Sequence, residues 1–327
     1  MLFYYKEEHT VICMKKVTVA LSVLFVLFAV IFAAGCITEE QPSEPTELLV
    51  ATTTSLFDTG LLDAIQDYYL EEYNVNLLFT SQGTGKAIAS AKKGDADVLL
   101  VHSPSQEKAF IEEGYGVNHR GIAYNYFILV GPAADPAGIK DMTPEEGFQI
   151  LEELGTAGTD GILFVSRGDA SGTHTAEQKI WKSAGYDYES EIRGSGDWYK
   201  ETGAGMGDSL TTAGELGGYI FSDEATFLKY KNNNPDSPLE VIIAEGTSLL
   251  NRYTVMTISP EKFPETNVED ATAFTNWLIS EEGQNFIGAF GTETYGKPLF
   301  TPMNTIADST KAPFNIDSTT PVTVPTA

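Results

Sequence analysis

A chain of 327 residues, 42% of them hydrophobic, holds enough apolar material for one large core or two domains of ordinary size. Its 46 acidic side chains outnumber 20 basic ones, for a net charge of −26 and a pI near 4.3, which excludes nucleic acid as a natural partner because phosphate binding needs a basic surface. The same field repels small anions at long range, so any anion site here must work through local donors while salt screens the rest.

The two cysteines, Cys13 and Cys36, both lie near the N-terminus. The body of the chain therefore offers no disulfide and no thiolate metal site. The histidines (His9, His102, His119, His174) lack metal-ligand spacing and read as structural or surface residues. Lys15-Lys16 precedes the apolar run Val17 to Ala34, and Ala33-Ala34-Gly35-Cys36 closes it like a lipobox. This predicts a signal peptide over 1–35 with lipidation at Cys36. An uncleaved membrane anchor is the alternative, since the run is nearly long enough to span a bilayer. Residues 1–13 read as an extension upstream of a start at Met14. Either anchor places the body outside the cytoplasm, on the outer face of the cell membrane. The Pro/Glu/Thr/Ser tract within 36–47 cannot bury a core and is expected to be a tether.

Leu48 to Ala51 predicts a buried strand running into Thr52-Thr53-Thr54-Ser55. A helix follows, with Leu61, Leu62, Ile65, Tyr68 and Tyr69 on one face. Ligands of open α/β sheets sit at strand carboxyl ends, and hydroxyls donate to oxyanions without carrying charge. A helix-capping turn is the plainer reading of the same residues. A strand over Val75 to Thr80 leads to Ser81-Gln82-Gly83-Thr84-Gly85-Lys86 and another helix. This resembles a P-loop but fails its pattern, with Thr80 at the first glycine position and Ala87 after the lysine. Gly94 to Asp97 is a turn, Val98 to Val101 a third buried strand, and Glu107 to Glu113 a helix. Tyr124 to Pro132 is an apolar strand expected to cross into a second lobe.

In that lobe Thr143-Pro144-Glu145-Glu146 forms a capping box that starts a helix to about Leu154. The strand Ile162 to Val165 then enters Ser166-Arg167-Gly168-Asp169-Ala170-Ser171-Gly172-Thr173-His174, where a helix begins. Unpaired N–H groups and the helix dipole make such a turn an anion site, and the planar fork of Arg167 suits a tetrahedral oxyanion. A capped helix with Ser171 as N-cap and a surface arginine is the alternative. The glycine-dense stretch Thr202 to Asp208 implies close approach of a neighbouring element or a ligand. Short strands are predicted over Gly218 to Ser222 and Leu239 to Ala244. Tyr253 to Ile258 is the return crossing, and helices over Val268 to Ile279 and Glu281 to Phe290 close the fold. The pattern predicts an α/β fold of two lobes joined by two crossing hinge strands, with a cleft between them. Lobe 1 spans 48–130 and 253–314, lobe 2 spans 131–252, and 315–327 is a disordered tail. Hinge closure around a ligand follows from this layout.

The TTTS, GTGK, GDADVLLVH, SRGDASGTH and TGAGMGD segments in this order resemble the tungstate-binding proteins of tungstate ABC transporters, a branch of the type II periplasmic-binding-protein fold. The resemblance covers roughly Leu48 to Thr301. It implies an oxyanion site of Thr53, Thr54, Ser55, Gly83, Thr84, Arg167, Ser171 and Thr173. It also implies tungstate as ligand (molybdate or phosphate as alternatives), an ABC permease as partner, a monomer, no cofactor and no catalysis. Ser81-Gln82 departs from the family pattern, and so does Ser222-Asp223-Glu224-Ala225-Thr226, where Thr-Asp-Arg-Gly-Thr is expected. Asp169 is the acceptor that a hydrogen phosphate would need, unless an Asx turn engages it. A secreted hydrolase using Ser55 or Ser171 with His174 lacks any supporting signature. Adhesion through Arg167-Gly168-Asp169 rests on a tripeptide that is common by chance.

Overall fold

The computed structural model describes residues 44–326. The expected signal peptide, Cys36 and most of the tether lie outside the described residues. The first lobe runs β1 (Thr46–Thr53), α1 (Thr54–Asp58), α2 (Leu61–Tyr73), β2 (Val75–Gln82), α3 (Thr84–Ala91), β3 (Val98–Val101), α4 (Pro104–Glu112) and β4 (Gly116–Pro132). The second adds α5 (Pro144–Thr156), β5 (Phe164–Ser166), α6 (Gly172–Ser183), β6 (Tyr199–Glu201), α7 (Met206–Leu216), β7 (Tyr219–Asp223), α8 (Glu224–Asn233) and β8 (Leu239–Ile243). The chain returns through β9 (Leu250–Ile258) to α9 (Val268–Ile279) and α10 (Glu281–Ala289). Among the described residues no helix is long and apolar enough to cross a membrane, and no group of three or more His, Cys, Asp or Glu could hold a metal ion.

The strand order is β2-β1-β3-β9-β4-β7-β5-β6, with β8 also on β4. β2, β1 and β3 are parallel, so their carboxyl ends share one edge. In the second lobe β5 runs parallel to β6 and β7. β4 is the strand that both lobes share. Its residues Gly116 to Tyr126 pair with β9, and Phe127 to Pro132 pair with β7 and β8. The division expected after residue 130 therefore falls at Tyr126–Phe127 in the pairing, and the return begins at Leu250 rather than 253. Each lobe buries apolar clusters on both faces of its sheet. Leu48, Ile65, Phe274 and Trp277 pack on one face of lobe 1, and Ala87, Leu99, Phe110 and Met256 on the other. In lobe 2 Phe148, Phe164 and Trp181 form one layer, and Met206, Leu210 and Ile220 the second. Strands covered on both faces read as near-continuous apolar runs, which is why most of them are visible in the sequence.

The tail expected to be disordered is instead packed on lobe 1. Ile316 and Val322 are buried. Gly121 N–H donates to Asp317 O at 2.9 Å, Arg120 Nε donates to Thr320 O at 2.8 Å, and Val322 N–H donates to Asn276 Oδ1 at 2.8 Å. Polar composition argued against a core, but an extended strap needs only two apolar anchors and backbone groups to pair. Truncation after Asn315 is expected to lower the unfolding free energy by about 3 kcal/mol, the scale of two buried aliphatic side chains. Denaturant titration would show a lower midpoint; an unchanged midpoint would mean the strap adds nothing.

Candidate functional site

At the end of β1, Thr53 is the N-cap of α1, its hydroxyl accepting from Leu56 N–H at 3.4 Å. Thr52, Thr53 and Ser55 are buried and Thr54 is half-buried. Gly83 occupies the cap position of α3 after β2. Gly83 and Thr84 are buried, whereas Lys86 is exposed. A Cβ on Gly83 would lie 3.0 Å from Asp169 Oδ2, so the missing side chain lets the second lobe come close. Ser81 and Gln82 are half-buried, and Gln82 Nε2 donates to Ser90 Oγ at 3.4 Å.

On lobe 2, Ser171 caps α6 and accepts from His174 N–H at 3.1 Å. Gly168 (φ 61°) and Ala170 (φ 58°) are left-handed. For alanine this costs roughly 1–2 kcal/mol and persists only where neighbours hold it. Three contacts do so. Asp169 Oδ1 accepts Ser171 N–H at 3.2 Å, His174 Nδ1 accepts Ala170 N–H at 3.0 Å, and Gln106 Nε2 of lobe 1 donates to Ala170 O at 3.3 Å. The ring of His174 thus braces its own turn. Its Nε2 is 2.8 Å from Tyr188 OH, and burial lowers its pKa.

Arg167 is 1% exposed. Its Nη2 donates across the cleft to Thr54 Oγ1 at 2.9 Å and to Asp169 Oδ2 at 2.7 Å. Its Nε and Nη1 are buried without a hydrogen-bond partner, and so are the hydroxyls of Thr52, Thr84 and Thr173. Buried unpaired donors are expensive, and among the described residues Arg167, Thr84 and Thr173 of the two jaws carry several of them, with others elsewhere such as Trp198 Nε1 and Thr272 Oγ1. The hydroxyl oxygens of Thr53 and Ser171 are each engaged as a helix cap, Thr53 accepting Leu56 N–H and Ser171 accepting His174 N–H. Asp223, the N-cap of α8, faces the same region: burial raises its pKa to about 6, and the nearby Arg167 opposes that shift. Thr226 Oγ1 donates to Ser55 O at 3.2 Å, and Gly205 faces Thr54 with room for a Cβ at an ordinary 3.8 Å. Glu224, at the position where an arginine is expected, pairs with Lys297.

His102, expected to be a structural or surface residue, sits behind the first jaw. Its Nε2 is 2.9 Å from Ser55 Oγ and its Nδ1 is 2.8 Å from Asn251 Oδ1. Its sequence signals are its place at the end of the GDADVLLVH segment and its position one residue past the buried strand β3, at the edge where ligands gather. Burial pushes its pKa down to about 4, so the ring is neutral. Behind the second jaw Glu177 accepts from Ser166 Oγ at 2.8 Å, Tyr199 OH at 2.6 Å and Trp181 Nε1 at 3.2 Å. Ser166 Oγ in turn accepts Gly168 N–H at 3.3 Å, so Glu177 steadies the arginine turn.

Two outcomes follow. A Cβ on Gly172 would lie 2.7 Å from His102 Cε1, and that ring is pinned on both nitrogens. Gly172→Ala should therefore hold the lobes apart, seen as a larger radius of gyration by small-angle scattering; an unchanged curve would show that the contact yields. Burial also pushes Glu177 up to about 7, against an unfolded value of about 4.3. Its contribution to stability is complete below the unfolded pKa and is lost as pH rises through about 7. Melting temperatures of Glu177→Gln should accordingly fall less than those of the native chain between about pH 4.5 and 7. Parallel curves would contradict this.

Known proteins are similar to this chain in sequence and fold. A family profile described as "PBP superfamily domain" matches residues 40–282. The tungstate-binding protein TupA of Peptoclostridium acidaminophilum is 38% identical over 284 residues, covering 85% of this chain and 95% of that protein. The tungstate-binding protein TupA of Campylobacter jejuni is 36% identical over 244 residues, covering 74% of this chain and 86% of that one. The solved structure of the tungstate-binding protein TupA from Desulfovibrio alaskensis G20 superposes with a TM-score of 0.64 at 38% identity, covering 79% of this chain and 98% of that chain. Identity at this level, over most of the length on both sides, accompanies the same two-lobed architecture: the chain belongs to the tungstate-binding protein family of the PBP superfamily.

Proposed function

We propose that this chain captures tungstate outside the cytoplasm and delivers it to an ABC permease, without chemistry on the ligand. The observation that best supports this is the set of buried, unpaired donors on Arg167, Thr84 and Thr173, beside the N-termini of α3 and α6. A fully deprotonated tetrahedral dianion is costly to dehydrate and needs donors only. Each charge-assisted hydrogen bond returns roughly 1.5–3 kcal/mol, so a shell of several offsets that cost. Thr53, Thr54, Ser55, Gly83, Thr84, Arg167, Ser171 and Thr173 form the shell in this reading. Asp169, the acceptor that hydrogen phosphate would require, is engaged on both oxygens, by its own Asx turn and by Arg167. That removes Asp169 as the acceptor and leaves the buried, unpaired Asp223 Oδ2 near Arg167 as the remaining one. Molybdate has the same charge and nearly the same size, and the names of the relatives favour tungstate.

A hydrolase reading is weaker. Ser171 Oγ accepts the backbone N–H of His174, whose ring is used elsewhere. Ser55 does touch His102, but a fully enclosed imidazole held near pKa 4 is a poor general base. A lipid anchor on Cys36 and a monomeric working form complete the proposal, the anchor resting on the Ala33-Ala34-Gly35-Cys36 motif alone.

Isothermal titration of the full-length chain in mild detergent with tungstate, molybdate, sulfate and phosphate tests the reading. Tungstate should bind more tightly than phosphate, and the reverse order would overturn it. Arg167→Lys should weaken tungstate binding by about tenfold or more, since an ammonium cannot reproduce the fork, while exposed Lys86→Ala changes it by less than about threefold. Equal losses would move the site to the GTGK turn.

A further inference from the structure

Behind Ser55 runs a line of buried polar side chains: His102, Asn251, Asn125 and Tyr253. Ser55 Oγ to His102 Nε2 is 2.9 Å, and His102 Nδ1 to the Asn251 amide is 2.8 Å. The other end of that amide is 2.8 Å from both Asn125 and Tyr253 OH. The His102 ring stacks on Tyr253 at 4.9 Å, which holds its plane. Serine has one proton, so the direction of hydrogen bonding along this line decides what Ser55 can offer a ligand.

Two directions fit the same heavy atoms, because the oxygen and nitrogen of an amide exchange places on a half-turn. With Asn251 Oδ1 toward the ring, His102 carries its proton on Nδ1, and Ser55 gives its own proton to Nε2. That direction leaves Asn125 Nδ2 buried without a partner. It also makes Tyr253 OH an acceptor from Asn251, with no acceptor among the described residues for its own proton. Turning both amides satisfies these donors: Asn125 Nδ2 and Tyr253 O–H then both donate to Asn251 Oδ1. Asn251 Nδ2 donates to His102 Nδ1, the ring proton sits on Nε2 and goes to Ser55, and the Ser55 proton is released. What remains unpaired is one amide oxygen, which is tolerated better than a buried N–H.

We propose that His102 is a positioning residue for the oxyanion site, held by Asn251 as the Nε2–H tautomer so that Ser55 is a donor and not an acceptor. The proposal rests on the oxyanion reading above and adds a source of selectivity. With a Ser55 lone pair taken by His102 Nε2–H, the Ser55 hydroxyl turns its proton, and not an acceptor, toward the ligand. A fully deprotonated anion meets only donors there.

Long-range proton–nitrogen spectra of the full-length chain with nitrogen-15-labelled histidine test the tautomer directly, with His102 assigned by its loss in His102→Gln. An unprotonated Nδ1 is expected; an unprotonated Nε2 overturns the proposal whatever the binding data show. In titrations, His102→Gln places an amide donor near the position of Nε2 and should keep tungstate affinity within about threefold, whereas His102→Leu should lose about tenfold or more. His102→Leu should affect phosphate less, narrowing the preference for tungstate. Equal loss for both anions, or a His102→Gln as weak as His102→Leu, would overturn the proposal. A native chain that titrates no tungstate would overturn the oxyanion reading instead, and the tautomer spectrum separates the two failures.

Discussion

A guanidinium enclosed to 1% exposure is the constraint around which the cleft is built. A buried cation is tolerated only with partners, and Arg167 has two on a single nitrogen: Thr54 from the opposite lobe and Asp169 from its own turn. Asp169 largely cancels its charge, so the site does not attract anions by a bare positive field. That suits a chain of net charge −26, in which long-range attraction is unavailable. Recognition is left to donors at contact distance, where geometry discriminates and salt screens little.

The rest of the cleft serves that arginine. The turn that carries it is strained at Ala170, and the cost is met by Asp169, His174 and Gln106, one of which belongs to the other lobe. Glycines stand where the lobes meet most tightly: Gly83 against Asp169 and Gly172 against His102. Each removes a side chain at a point where backbone must approach another residue. Most of the apolar clusters belong to one lobe each, while Ala225 and Leu228 of α8 pack into the lobe 1 cluster beside the β4 and β9 crossing. Hinge motion is compatible with such a division.

Much of this was legible because it is local. The capping box at Thr143 and Glu146, the N-cap at Ser171 and the glycine at the start of α3 are interactions spanning a few residues. The parallel strands β1, β2, β3 and β5 are apolar runs in the sequence, whereas β6, Tyr199 to Glu201, is not. The first half of β4 did not, since Gly116 to Arg120 is half-buried and polar and Asn118 interrupts it with a positive φ. α8 was missed because Lys229, Tyr230, Lys231 and the asparagines after them carry little apolar periodicity; its place is set by Ala225 and Phe227 packing inward. The tail failed for the opposite reason. Its composition suggests disorder, but two aliphatic anchors and a line of backbone hydrogen bonds hold it.

By itself the sequence determined the class of site: strand-to-helix turns bearing hydroxyls, glycines and one arginine, in a chain too acidic to attract anions from afar. It did so because capping, dipoles and turn geometry depend on neighbours within about one helical turn. Only the tertiary structure decided which of those donors remain free. Arg167 meets Thr54, Ser55 meets His102, and His102 meets Asn251, across separations of 113, 47 and 149 residues. A donor's availability depends on what else it touches, and contacts at such separations are not encoded in any local pattern.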